Sequence, residues 1–118
     1  MNSSTFWSNT RTYRVNIFNK ADGDHLVLRV AHDFDLAVEY HDIEVLNEGV
    51  LRGEPDISKI SYAVYPLIAD RYILLDSGSA LGRGNGPLLV RRKGETSPLC
   101  HIAVPGEHTT ANALVKRL

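Results

Sequence analysis

The apolar residues change their period at Asp42, and that change decides the class of fold open to this chain. Before it, Tyr13, Val15 and Ile17, then Leu26, Leu28 and Val30, then Leu36, Val38 and Tyr40 alternate with other residues. A two-residue repeat is the mark of a strand with one covered face. Three such runs in succession are expected to pair as a meander, with Asp22-Gly23-Asp24 turning the chain after the first. From Asp42 onward, Ile43, Leu46 and Val50 stand at i, i+3 and i+7, on one face of a helix. Asp42 is placed to cap that helix, and Glu44 lies in the first turn, where the dipole favours an acid. Gly53 can end it in a left-handed conformation.

The alternation continues downstream. Residues 56–60 read as a short strand, and Ser61 is placed to open a second helix through Tyr62, Val64, Tyr65 and Ile68. Residues 72–75, 87–90 and 101–104 read as further strands, with 87–90 apolar enough to be buried on both faces. Cys100, beside the last of these, is expected to be buried. Thr109 starts a helix running towards Leu118, and the polar residues 1–10 are expected to fray. Strands alternating with helices define an α/β protein.

A length of 118 residues allows one domain, and 43% apolar residues exclude a disordered chain. Thirteen basic against fourteen acidic residues lack the positive excess of a nucleic-acid platform. A single cysteine excludes a disulfide framework and any multi-cysteine metal site, and suits a reducing compartment. No run is long and apolar enough to span a membrane, and the N-terminus has no signal-peptide core. The expectation is a soluble cytoplasmic protein with no nucleic-acid or membrane partner.

Three stretches invite chemistry. The run Gly78-Ser79-Ala80-Leu81-Gly82-Arg83-Gly84-Asn85-Gly86-Pro87 has neither dinucleotide nor P-loop spacing, and Ser77 stands where a nucleophile elbow needs glycine. It fits a loop of positive-φ glycines or a ligand contact through backbone N–H groups. Pro105-Gly106-Glu107-His108-Thr109-Thr110-Ala111 joins a predicted strand to a helix. Its free N–H groups and hydroxyls suit an anion or carbonyl oxygen, and equally a plain threonine cap. Lys59, Ile60 and Ser61 lie at a strand's carboxyl end, where α/β folds hold ligands. The five histidines show no metal-binding spacing; His25 and His32, near Asp22, Asp24 and Asp33, read as surface loop residues.

Several of these runs occur in a telling series: Asp42-Ile43-Glu44-Val45-Leu46-Asn47, Asp56-Ile57-Ser58-Lys59-Ile60-Ser61-Tyr62, Asp70-Arg71-Tyr72, the run from Ser77 through Gly84 with Gly86-Pro87-Leu88, and Ile102-Ala103-Val104-Pro105-Gly106 with His108-Thr109-Thr110-Ala111. In this order and spacing, residues 42–118 resemble the 1,4-dihydroxy-6-naphthoate synthases of the futalosine route to menaquinone. The resemblance implies a lyase with a two-lobed fold like type 2 periplasmic binding proteins. It implies conversion of cyclic dehypoxanthinylfutalosine without metal or cofactor. Lys59, Ile60, Ser61, Thr109 and Thr110 match positions lining the substrate cleft between lobes.

On this reading, residues 42–94 belong to the first lobe and 95–118 begin the second with a strand and a helix. Residues 1–41 lack the Cys-Pro-Asn-Asp-Thr-Phe type motif with which the family begins. The catalytic histidine of the family lies further into the second lobe, and no histidine here matches it. The expectation is a truncated first lobe without turnover, marginal or self-associating in isolation. A non-catalytic small-ligand-binding module of the same fold, or a chorismate dehydratase paralogue, is the alternative. The runs around Gly78 and His108 fit the naphthoate synthases better.

Overall fold

The computed structural model describes residues 11–17, 35–76, 78–80, 82–84 and 86–118. The strand expected around Leu28, the turn at Gly23, the frayed first ten residues, and His25 and His32 lie outside the described residues. The described chain is a small α/β body. Its strands are β1 (Thr12–Ile17), β2 (Asp35–Tyr40) and β3 (Ile57–Ser58). Its helices are α1 (Ile43–Arg52), α2 (Tyr65–Ile68) and α3 (Thr110–Val115), and a 3-10 turn at Tyr62–Val64 leads into α2.

The sheet order is β2-β1-β3, and both pairings are parallel. Thr12 stands opposite Asp35 and Ile17 opposite Tyr40, while Val15 and Asn16 meet Ile57 and Ser58. The expected meander is therefore corrected: it would place the run around Leu28 between the first and third runs, whereas β1 and β2 are hydrogen-bonded neighbours. Parallel neighbours need a long crossover, and β1 and β2 are far enough apart in the sequence to allow one. β1 and β2 share their sheet with β3, so the described part of the first 41 residues belongs to the same body as α1.

β1 is central, and Val15, Asn16 and Ile17 are all buried. This matches a parallel strand covered on both faces. α1 forms as its period predicts. Asp42 takes the extended cap conformation and its carbonyl accepts from the Leu46 N–H at 3.1 Å, although its side chain makes no cap bond. At the other end Gly53 has φ 73°. Its N–H reaches the Val50 carbonyl at 3.0 Å and the Glu54 N–H reaches Gly49 at 3.1 Å, a Schellman closure.

The apolar face of α1 packs into the core. Val50, Val64 and Ile68 form a buried cluster, with Leu51, Ile60, Tyr65 and Tyr72 against it. Leu46, Val50, Val64 and Ile68 are each at most 1% exposed, and each contributes roughly 1.5–3 kcal/mol by leaving water.

Beyond Tyr72 three expectations are overturned. Residues 72–75, 87–90 and 101–104 form no strands. Leu88 and Val90 are 83% and 81% exposed, where burial on both faces was expected. Cys100 is exposed as well. Among the described residues these segments have no ladder partner, and an apolar run becomes a strand only where a second backbone completes its hydrogen bonds. Near the end of the chain, α3 docks on the 3-10 turn. No helix of the described residues is long and apolar enough to cross a membrane.

Candidate functional site

The carboxyl end of β3 opens into a cleft of about 820 Å³, within the ordinary range for small-molecule sites. Lys59, Ile60 and Ser61 lie along it as the chain leaves the sheet, and Thr110 closes it from α3. Tyr65 and Tyr72 add aromatic surface, and Asp56, Arg71 and Asp76 add charge. Four of the five predicted residues therefore meet at one cleft, although Thr110 is 49 positions downstream of Ser61 in the numbering.

The segment 59–61 is held from several sides. The Lys59 N–H donates to the Asn16 carbonyl at 3.0 Å, which extends the sheet register by one rung. Ser61 is fastened by Asn47, which is wholly buried on α1. The Ser61 N–H donates to Asn47 Oδ1 at 2.9 Å, and Asn47 Nδ2 donates to Ser61 Oγ at 3.0 Å. Ser61 sits at the cap position of the 3-10 turn, and its carbonyl accepts from the Val64 N–H at 3.0 Å. Its hydroxyl makes no cap bond.

The two threonines divide their work. Thr109 is 4% exposed and does not line the cleft. Its hydroxyl donates to the Gly106 carbonyl at 2.8 Å and accepts from the Asn112 N–H at 3.2 Å, so it caps α3. Thr110 faces the other way: its Oγ1 accepts from the Ala63 N–H at 3.2 Å and ties α3 to the 3-10 turn.

Two further residues shape the site and were missed from the sequence. Asn47 is one. Its signal is a polar residue on the apolar face of α1, between Leu46 and Val50 and four residues after Ile43. The other is Glu44, which clamps the loop before α3. The His108 N–H donates to Glu44 Oε1 at 3.0 Å, and His108 Nδ1 lies 2.6 Å from the same oxygen. Burial pushes the Glu44 carboxyl up, but the His108 amide and ring together with Asn47 outweigh it and hold the carboxyl below its ordinary value. A Cβ on Gly106 would overlap the Glu44 side chain, so glycine is required there by close approach. Burial, with Asp56 and Glu54 adding to it, raises the Tyr72 phenol despite nearby Arg71. Its hydroxyl donates to the Pro55 carbonyl at 2.9 Å.

The glycine run resolves in part. Gly78 and Gly84 have φ 82° and 74°, as a positive-φ loop requires. Among the described residues nothing lies within 4 Å of a Cβ built on Gly78, Gly84 or Gly86, so none of these makes a close backbone approach there. Gly78, Ser79 and Ala80 line the far side of the cleft.

A sequence model described as menaquinone biosynthesis matches residues 15–118. The chain belongs to the menaquinone biosynthesis family. The match begins at Val15 in β1, ahead of the residues 42–118 that carry the resemblance. A 1,4-dihydroxy-6-naphtoate synthase of Thermus thermophilus is 46% identical over 89 residues, covering 74% of this chain and 32% of the relative. One of Streptomyces coelicolor is 43% identical over 82 residues, covering 69% and 29%. The chain thus spans about a third of the length of the curated relatives it matches. No solved structure matches it.

Proposed function

We propose that this menaquinone-family chain carries the substrate-holding wall of a lyase that converts cyclic dehypoxanthinylfutalosine to 1,4-dihydroxy-6-naphthoate. The observation that carries the reading is the cleft that brings Lys59, Ile60 and Ser61 together with Thr110. The names of the two relatives point to the same product. In this proposal the architecture is two-lobed and periplasmic-binding-protein-like, and residues 95–118 open the second lobe. A cleft at the carboxyl end of a parallel strand supports it.

The wall binds and orients. Ser61 and Thr110 supply hydroxyls, Tyr65 and Tyr72 supply flat apolar surface, and Thr109 sets Thr110 in place by capping α3. No described histidine lines the cleft, and in this proposal the chain binds substrate without turning it over.

The test is a calorimetric titration of the purified chain with 1,4-dihydroxy-6-naphthoate and, separately, with chorismate. Incubation with cyclic dehypoxanthinylfutalosine and chromatography of the products accompanies it. The reading predicts saturable binding of the naphthoate, none of chorismate, and no product formed. Absence of saturable naphthoate binding removes the reading. Chorismate binding moves the chain to the dehydratase paralogue, and product formation contradicts a wall without proton transfer.

A further inference from the structure

Ser61 and Thr110 both line the cleft, and in both the hydroxyl oxygen already receives a hydrogen bond from the protein. Ser61 Oγ accepts from Asn47 Nδ2 at 3.0 Å, and Thr110 Oγ1 accepts from the Ala63 N–H at 3.2 Å. Among the described residues no acceptor takes the hydroxyl proton of either. A hydroxyl whose oxygen accepts one hydrogen bond keeps its proton to give, beside one remaining lone pair.

The orientation of the Asn47 amide is not arbitrary. The Ser61 backbone N–H can be satisfied only by an oxygen, so Oδ1 must sit there, at 2.9 Å. That places Nδ2 against the Ser61 hydroxyl. Asn47 is wholly buried, so water cannot substitute for either contact. The backbone of residue 61 thus dictates the amide, and the amide dictates which way the serine hydroxyl works.

We propose that Asn47 is a positioning residue that keeps the Ser61 hydroxyl proton free for a ligand, so that with Thr110 the cleft presents two hydroxyl donors and favours a group with two acceptor oxygens, a carboxylate. The inference rests on the reading of this cleft as the substrate site. It names the part of the ligand that residues 61 and 110 receive. The carboxylate of a naphthoate is such a group; a carboxamide, which presents N–H donors on one side, is not.

Asn47→Asp tests this directly. An aspartate oxygen still accepts the Ser61 N–H, but its second oxygen replaces Nδ2 and accepts the serine proton. The hydroxyl then presents only lone pairs. The probes are 1,4-dihydroxy-6-naphthoate and its 6-carboxamide, titrated into the native chain and its variants. The native chain is expected to favour the carboxylate by about tenfold or more. Asn47→Asp should abolish or invert that ratio, and Ser61→Ala should reduce it.

Because Asn47 also helps to hold the Glu44 carboxyl down, the double variant Asn47→Asp with Ser61→Ala separates the hydroxyl from the added charge. In that background the aspartate should change the ratio no further. Equal binding of both probes by the native chain overturns the proposal. So does an unchanged ratio in Asn47→Asp, or an equal drop with and without the serine. If Asn47→Asp fails to fold by circular dichroism, Ser61→Ala and Thr110→Val carry the test, and an undiminished preference in both overturns it. Failure of both probes to bind the native chain removes the substrate-site reading itself, a different result from binding without preference.

Discussion

Glu44 and Asn47 stand three residues apart on α1, and between them they fasten the two loops that make the cleft. Asn47 holds the exit of β3 through Ser61, and Glu44 holds the approach to α3 through His108. The Glu44 carboxyl is held below its ordinary value of 4.5 in the folded chain, so the unfolded chain takes up the proton first as pH falls. The clamp's contribution is fully present above that ordinary value and is lost as pH drops through the lower folded one. Glu44→Gln is expected to cost roughly 1–2 kcal/mol at neutral pH and much less near pH 3. Denaturant melts of both proteins at the two pH values check this, and a gap that widens on acidification would contradict it. At this scale the capping role of Thr109 was legible from its place after Pro105-Gly106. The Glu44–His108 clamp was not, because it joins residues 64 apart and no local pattern pairs them.

α1 is the element whose sequence and structure agree most closely. Its apolar spacing, its first-turn acid and its closing glycine are all local signals, and all act within one segment. Gly53→Ala is expected to destabilise the chain by roughly 1 kcal/mol. The residue sits at φ 73° and a Cβ would come 3.2 Å from the Arg71 guanidinium. A lower melting temperature with unchanged helix content checks it; no change would mean that the closure contributes nothing. Strands were less legible. Tyr13, Val15 and Ile17 announced β1, but alternation carries no information about the direction of a neighbour, and the meander reading failed there. Leu88, Leu89 and Val90 have strand composition without a second backbone to complete a ladder, so composition alone overstates them.

The described part of the chain is extended: its Cα radius of gyration is 18.9 Å, where a compact domain of even 100 residues has about 13 Å. Ile73, Leu74, Leu75, Leu88, Leu89 and Val90 are all more than half exposed. Apolar surface on this scale drives association. Sedimentation velocity is expected to show mass rising with concentration, and Ile73→Lys with Leu88→Lys should return the chain towards a monomer. A native chain that stays monomeric throughout would contradict this. The α/β class and the meeting of residues 59–61 with Thr110 were accessible through strand ends and motif order. The open architecture beyond Tyr72 was not, since it depends on partners that apolar pattern cannot name.

The central claim is spatial: segments far apart in sequence form one binding wall. Amide chemical-shift mapping of the isotopically labelled chain during titration with 1,4-dihydroxy-6-naphthoate tests it most directly. The account predicts saturable shifts at Ser61, Ala63 and Thr110 with one common dissociation constant, and none at Ala113 or Lys116 on the far side of α3. Shifts confined to the exposed residues 86–100, with 61, 63 and 110 unmoved, would contradict it.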